Sequence, residues 1–321
     1  MRIISHKLIQ TLNISPKKCI DWVLESFAQK QEAQFPVKIS VHPYKNDYIT
    51  SMPCLLKKDD EENVQFYGVK TVYRISKQRY TIGSEMMLYN ALNGDLLAFV
   101  DCNWITTMRT GAVAAIAAKT LRKSNANTYG FIGLGNIARA TLLCILECEP
   151  DKVFHVKILR YKEQAELFIE RFKEYRNVVF SIVDDIEEMP QATDVLISCI
   201  TNADGLLFKN EAIFPNGITI IPVHTRGFQN CDTTFDRIFG DDTGHIQGYK
   251  YFNQYKNYNE LGEVLKGKDP GRQNDAQRIL SYNCGLALHD VLFASKIYKM
   301  TEQIDDVINI QIDKDRRRFW I

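Results

Sequence analysis

The pattern of apolar and polar positions divides the chain into regions of different structure. Between Val37 and Val100, short alternating runs rich in β-branched and aromatic residues are separated by charged segments or by an Asn-Gly turn. This pattern predicts a meander of mostly antiparallel strands. From Asn103 to about Leu121 the run WITTMRTGAVAAIAAKTL is rich in alanine and threonine, and we predict that it forms a helix.

In the following part of the chain, apolar runs of strand length alternate with helical runs. The predicted strands are TYGFIG, VFHVKIL, VVFSIV, DVLISCI and GITIIPV, and the predicted helices are NIARATLLCIL and KEQAELFIERFKEY. Such alternation predicts a parallel sheet covered by helices on both faces. The run RILSYNCGLALHDVLFASKIYK is predicted to be one final amphipathic helix. Near the start, Ser15 and Pro16 precede apolar residues spaced three or four apart, which predicts a capped helix.

The length of 321 residues fits two domains better than one core. We predict an α/β fold, with a doubly wound sheet at residues 123–283 and a mixed α+β domain at residues 1–122, to which residues 284–321 return.

A glycine turn in the predicted sheet carries the first sign of a ligand. The segment GLGNIA, from Gly133 to Ala138, follows a predicted strand and begins a predicted helix. In a Rossmann unit the first glycine permits a tight turn, the second lets the backbone approach a pyrophosphate, and the helix N-terminus attracts the phosphates. We therefore expect Gly133, Gly135, Asn136 and Ile137 to bind a dinucleotide. The alternative is a tight turn without a ligand.

The end of the next predicted strand bears on which dinucleotide binds. NAD enzymes usually place an acidic residue there, whereas this chain has Arg160, Tyr161 and Lys162. Arg160 and Lys162 would neutralise a 2′-phosphate, so NADP is slightly favoured over NAD. The alternative is that both are solvated residues at a helix start.

Composition excludes several other classes of protein. The formal net charge of +1 gives no general attraction to nucleic acid or to an anionic membrane. No apolar run approaches the ~18 residues of a membrane span, and the start of the chain lacks the pattern of a signal peptide. The eight cysteines are scattered without C-x-x-C or matching histidine spacing, which predicts a reduced, cytoplasmic protein without a metal site.

Several segments in a fixed order resemble the ornithine cyclodeaminase/mu-crystallin family over nearly the whole chain. They are Gly68-Val69-Lys70, Met108-Arg109-Thr110-Gly111-Ala112, the turn IGLGNIARA, ELGEVLKG from Glu260, DPGR from Asp269, and GLALHD from Gly285 to Asp290.

The resemblance implies an NAD(P)-dependent enzyme that exchanges a hydride with the α-carbon of a small amino or imino acid. It implies a homodimer joined through the domain at 1–122, which would also bind the substrate. We expect an oxidoreductase acting on a C–N bond, of the ketimine reductase or amino-acid dehydrogenase type. The alternatives are a cyclodeaminase that recycles its NAD internally and a non-catalytic protein that binds a ligand in the presence of NADPH.

The resemblance also implies roles for individual residues. Lys70 matches the family lysine that meets the substrate carboxylate, and Arg109 matches an arginine near the cofactor phosphates. Lys38 stands where a carboxylate-binding arginine is common. It keeps the charge but loses the bidentate guanidinium. Thr81 and Thr201 are expected near the cofactor.

Three further residues are expected near the substrate. Cys284 falls close to a substrate-contacting position. His224 replaces the catalytic aspartate of ornithine cyclodeaminase, which argues against cyclodeamination. Near pH 7 a histidine can move a proton, and the alternative is a strand-end histidine bonded to backbone. Arg226 would bind a second acid group on a larger substrate.

Overall fold

The computed structural model describes residues 1–45, 47–58, 63–77, 82–201 and 203–312. Its strands are β1 (Arg2–Ile4), β2 (Ile39–Val41), β3 (Tyr48–Leu55), β4 (Phe66–Arg74), β5 (Ile82–Asn90), β6 (Asp95–Asp101), β7 (Thr128–Ile132), β8 (Phe154–Leu159), β9 (Val178–Val183), β10 (Val195–Ser198), β11 (Thr219–Pro222), β12 (Arg237–Gly240), β13 (Asn259–Glu260) and β14 (Ile279–Tyr282). Its α-helices are α1 (His6–Thr11), α2 (Pro16–Ala28), α3 (Asn103–Leu121), α4 (Asn136–Cys148), α5 (Gln164–Arg171), α6 (Thr243–Ile246), α7 (Leu261–Leu265) and α8 (Ala287–Met300). Among these described residues, no helix is both long and apolar enough to cross a membrane.

By internal contacts the chain forms two units. Unit 1 contains Met1–Asn13, Gln31–Ile105 and Asp290–Ile321, and unit 2 contains Ile14–Lys30 and Thr106–His289. The functions predicted for the domains at 1–122 and 123–283 stay predictions.

Unit 1 is built on a six-stranded sheet with the order β1-β6-β5-β4-β3-β2. The strands from β2 to β6 pair antiparallel with their neighbours, which confirms the predicted meander, and β1 joins β6 in parallel. Side chains alternate between two faces because the period of a strand is two residues. One face is buried and mostly apolar; it carries Met52, Cys54, Met86, Leu88, Ala98 and Val100.

Unit 2 is built on an eight-stranded sheet with the order β13-β12-β14-β11-β10-β7-β8-β9. All its paired strands run parallel. Every residue of β10, β11, β12 and β14 is buried, as in a parallel sheet covered on both faces. The predicted α/β fold with a Rossmann-type sheet is confirmed.

Two predicted helices form where the sequence placed them. The Ser15 hydroxyl accepts a hydrogen bond from the Lys18 backbone N–H at 3.2 Å, and Pro16 is the first residue of α2. Helix α3 has the predicted bounds, Asn103–Leu121. Helix α5 is shorter than predicted and ends at Arg171.

The prediction of a single final helix from Arg278 onward is wrong. Ile279–Tyr282 is strand β14, which pairs with β11 and β12, and helix α8 begins only at Ala287. A short apolar run does not distinguish a buried strand from a helix by periodicity. Gly285 separates the two elements with a φ of +77°, which no continuing helix adopts. Strands β12 and β13 were also missed because they are short.

Candidate functional site

The carboxyl ends of neighbouring parallel strands bring several predicted site residues of unit 2 to one edge of its sheet. Strands β14, β11, β10, β7 and β8 are consecutive neighbours. Cys284, His224, Thr201, Gly133 and Arg160 each follow one of these strands within three residues. In open α/β sheets this edge is where ligands bind.

The turn after β7 contains two glycines, and the structure explains them in different ways. Gly133 has a φ of +81°, and a Cβ there would lie 2.8 Å from both the Cys199 carbonyl carbon and the Ile200 nitrogen. A side chain at Gly133 would therefore strain the turn and push apart the segments after β7 and β10. Gly135 has an ordinary φ of −75°, and a Cβ there would meet no described atom within 4 Å.

The space at Gly135 fits a bound dinucleotide. Gly135 is the N-cap of α4 and contributes no side-chain capping bond, and Gly135 and Asn136 are both exposed. Unpaired N–H groups of the first helical turn carry a partial positive charge. Packing within the chain does not require glycine at 135, whereas close approach of a pyrophosphate to the backbone does.

Arg109 lies at the opposite end of this edge from Arg160. Arg109 is on α3 and is buried, with 6% of its surface exposed. A Cβ at Gly285, which follows β14, would overlap the Arg109 guanidinium. The Gly285 N–H donates to Asp241 Oδ2 at 2.7 Å, and Asp241 is fully buried after β12. The turn at Gly285 is therefore shaped around Arg109 and anchored by a buried carboxylate.

His224 forms a hydrogen-bonded pair with the end of the neighbouring strand. Its Nε2 lies 2.7 Å from the hydroxyl of Ser198, the fully buried last residue of β10. Burial, opposed in part by a hydrogen bond with the backbone of Arg226, lowers the pKa of His224 to about 4. The imidazole is therefore neutral at pH 7, and Nε2 is already engaged by Ser198.

Cys284 and Arg160 also have partners within unit 2. The Cys284 sulfur lies 2.9 Å from the Tyr249 hydroxyl, and burial raises the pKa of that hydroxyl. Arg160, whose side chain is 41% exposed, donates from Nε to Asp184 at 2.8 Å and also pairs with Glu166. Its guanidinium is therefore held beside the end of β8 by two exposed carboxylates.

The remaining predicted residues are placed as follows. Thr201 and Arg226 are exposed, and Lys38 is half-buried immediately before β2 in unit 1. Thr81 lies outside the described residues. Within the described parts of the chain, no three His, Cys, Asp or Glu side chains are grouped so that they could hold a metal ion.

Lys70 lies in unit 1, on the buried face of β4. Its Nζ is 2.7 Å from Asp290 Oδ1, and both side chains are fully buried. The predicted substrate lysine is therefore an interior cation neutralised by the first turn of α8.

Sequence reasoning missed three partners of these residues. Asp290 belongs to the segment GLALHD, which resembles the family, although no role was assigned to it. The resemblance of this segment could therefore have pointed to Asp290. Ser198 is a polar residue at the carboxyl end of an apolar run, which is a weaker signal. Tyr249 lies 35 positions before Cys284, and nothing in the sequence pattern connects them.

Comparisons with known proteins agree on one family. The model of the ornithine cyclodeaminase/mu-crystallin family matches residues 3–304. A Δ1-pyrroline-2-carboxylate reductase of Bacillus cereus is 26% identical over 285 residues, which cover 82% of this chain and 85% of the relative.

Two solved structures share the fold. One is the Δ1-pyrroline-2-carboxylate reductase of Thermococcus litoralis in complex with NADH and L-proline, with a TM-score of 0.82 and 22% identity over 97% of this chain and 100% of that one. The other is an archaeal alanine dehydrogenase dimer with bound NAD. Its TM-score is 0.81, and it is 22% identical over a match that covers 97% of this chain and 99% of that one.

Proposed function

Because the chain belongs to the ornithine cyclodeaminase/mu-crystallin family, we propose that it is an NAD(P)-dependent oxidoreductase acting on the C–N bond of a small amino or imino acid. The observation that carries this proposal is the turn at Gly133–Ala138, in which Gly135 leaves room for a ligand at the N-terminus of α4. The reductase from Bacillus cereus supports the same reaction type.

The residues proposed to hold the dinucleotide lie along the carboxyl edge of the sheet in unit 2. Backbone N–H groups of Gly135, Asn136 and Ile137 would bind the pyrophosphate at the start of α4. Arg109, whose guanidinium lies against Gly285, is proposed to add a positive charge for the cofactor. When bound, the nicotinamide supplies or accepts the hydride that changes the oxidation state of the substrate α-carbon.

The choice between NADP and NAD depends on Arg160. Its guanidinium stands beside the end of β8, where the adenine ribose is bound in Rossmann units. Asp184 and Glu166 neutralise part of its charge, and an exposed arginine can exchange such partners for a 2′-phosphate at low cost. We therefore propose that the protein slightly favours NADP over NAD as its cofactor.

Lys70 is proposed to bind the substrate carboxylate, and Lys38 to assist it. A fixed cation at the carboxylate orients the α-carbon, and orientation is a large part of catalysis in hydride exchange. His224 is neutral at pH 7 and its Nε2 is bonded to Ser198, so we propose that it shapes the site and that water supplies the amine proton. Thr201, Arg226 and Cys284 are proposed to contact cofactor or substrate.

The test is the stoichiometry of nucleotide oxidation. Purified protein is mixed with NADPH or NADH and Δ1-pyrroline-2-carboxylate, and absorbance at 340 nm is followed beside the amount of product. We expect one nucleotide oxidised for each imino acid reduced. Ammonia release from a diamino acid with no net change at 340 nm would instead identify a cyclodeaminase. Tight nucleotide binding without turnover of any imino acid would identify a ligand-binding protein.

We also propose that two copies associate through the outer face of the sheet in unit 1. That face carries large apolar side chains with exposed fractions of 37% to 69%: Ile39, Val41, Ile49, Met87 and Phe99. The strand register places them on one side of the sheet, with Val41 opposite Ile49 and Met87 opposite Phe99. Large exposed apolar side chains gathered on one face are typical of an interface, and a protein of the same fold is a dimer.

A further inference from the structure

A fully enclosed ion pair occupies the interior of unit 1. Lys70 Nζ and Asp290 Oδ1 are 2.7 Å apart, and neither side chain has any exposed surface. The register of the sheet places Met52 and Met86 on either side of Lys70. Two thioether side chains therefore flank the lysine within the sheet.

Packing fixes the distance between the strand and the helix that carry the pair. Gly68 lies two residues before Lys70, on the same face of β4. A Cβ at Gly68 would lie 2.8 Å from Cγ2 of Val291, the residue that follows Asp290. Because only glycine allows this approach, α8 holds the Asp290 carboxylate at a set position beside Lys70.

Two buried thiols lie within electrostatic range of the pair. Burial, together with a smaller contribution from the charge of Asp290, raises the pKa of Cys54 to about 12. Burial also raises the pKa of Cys102, while Lys70 lowers it and Asp290 raises it. Both thiols are therefore neutral at pH 7, and neither is an anion that could pair with Lys70.

Stability alone does not explain an ion pair in such a place. Removing two charges from water is costly, and replacing a buried pair by apolar residues is often neutral or stabilising. Residues of the sizes of methionine and leucine would fill the same interior. A requirement other than folding is the better reason for keeping both charges.

We propose that Asp290 is a positioning residue that holds the Lys70 ammonium in place for the substrate carboxylate. The inference rests on the proposed function, in which Lys70 binds that carboxylate. Because Nζ has no exposed surface in this structure, the side chains that cover it have to move aside when the carboxylate binds. The bond to Asp290 fixes Nζ and so fixes the direction of its other N–H groups. The negative charge of Asp290 also balances the lysine, so that the carboxylate is oriented without being bound too tightly for turnover.

The kinetic test is Asp290→Asn, which keeps the shape of the side chain and removes its charge. We expect kcat to fall about 10- to 100-fold because the ammonium is no longer aimed. KM for Δ1-pyrroline-2-carboxylate should stay the same or fall, since the net charge at the pair changes from neutral to positive. Asp290→Glu restores the charge and should recover part of kcat.

A matched control separates positioning from general weakening of the fold. In unit 2, Glu149 Oε2 lies 2.6 Å from Nη1 of Arg122. Glu149→Gln removes the carboxylate of this ion pair. It should lower the thermal midpoint without changing kcat. If Asp290→Asn does not fold, Asp290→Glu carries the test, with a reduced kcat and an unchanged KM expected.

The outcomes distinguish this inference from the proposed function. Active wild-type protein whose Asp290→Asn variant keeps wild-type kcat would overturn the inference alone, as would a loss of kcat accompanied by an equal rise in KM. Where Asp290→Asn does not fold, wild-type kcat together with wild-type KM for Asp290→Glu would overturn it. Wild-type protein that reduces no imino acid would overturn the proposed function and this inference with it.

Discussion

At the scale of single residues, the turn after β7 contains two glycines that should respond differently to substitution. Gly133→Ala places a Cβ against backbone at a φ of +81°, so we expect the free energy of unfolding to fall by at least about 1–2 kcal/mol. Gly135→Val meets only open space and should fold like the wild type, but its side chain should block the pyrophosphate. Denaturant unfolding and nucleotide titration of both variants measure the contrast. Undiminished nucleotide binding by Gly135→Val would remove the turn from the site.

His224 makes a second residue-scale prediction, on pH. Its pKa is about 4 in the folded protein and 6.5 in a free side chain, so between these values the unfolded chain binds more protons. The contribution of the neutral imidazole to stability is therefore complete above pH 6.5 and is lost as pH falls toward 4, by about 1–3 kcal/mol.

Comparison with His224→Gln isolates this effect, because glutamine does not titrate. The difference in unfolding free energy between wild type and variant should shrink when pH is lowered from 7.5 to 4.5. A difference that is independent of pH would show that His224 is not held neutral.

The sequence predicted individual side-chain contacts less well than any other part of the site. The glycine turn has a spacing that follows from local geometry, and Lys70 was found through a matching segment. The partners of Lys70 and His224 are side chains distant in the sequence, and only tertiary packing determines them. Ser198 and Asp290 could therefore be recognised as polar residues in suitable segments, but not as partners.

At the scale of elements, the crossing of α3 and α4 links packing to the glycine turn. A Cβ at Gly111 on α3 would lie 2.6 Å from the carbonyl carbon of Ala140 and 2.7 Å from the Thr141 nitrogen on α4. We expect Gly111→Ala to lower the unfolding free energy by about 1–3 kcal/mol through overpacking. Because α4 would move, nucleotide binding should weaken as well.

Gly248→Ala is the matched control, because a Cβ there meets no described atom within 4 Å. It should change neither stability nor binding appreciably. Chemical unfolding and nucleotide titration of the two variants provide the comparison. Equal behaviour of both variants would contradict the close helix crossing.

Long periodic elements were predicted well, and short buried ones were not. Helix α3 and the capped helix α2 have the predicted starts because composition, caps and periodicity agree there. Strands β12 and β14 have four residues each and are buried throughout, so they show no alternation. Their place in the sheet follows from parallel pairing with residues far along the chain, which local pattern does not encode.

At the scale of the whole molecule, the outer face of the sheet in unit 1 predicts the state of association. Phe99→Glu places a charge in the proposed interface and should convert a dimer into a monomer, as measured by sedimentation. Leu167→Glu is the control, because Leu167 is 56% exposed on α5 in unit 2, and it should leave the dimer intact. A Phe99→Glu variant that sediments as the wild type would place the interface elsewhere.

The proposed chemistry requires a dinucleotide bound at the start of α4. Calorimetric titration of the wild-type protein with NADPH and, separately, with NADH tests this most directly. We expect saturable binding of at least one of the two nucleotides, with one molecule bound per chain. Absence of binding of both nucleotides would contradict the account and would leave the fold without the proposed chemistry.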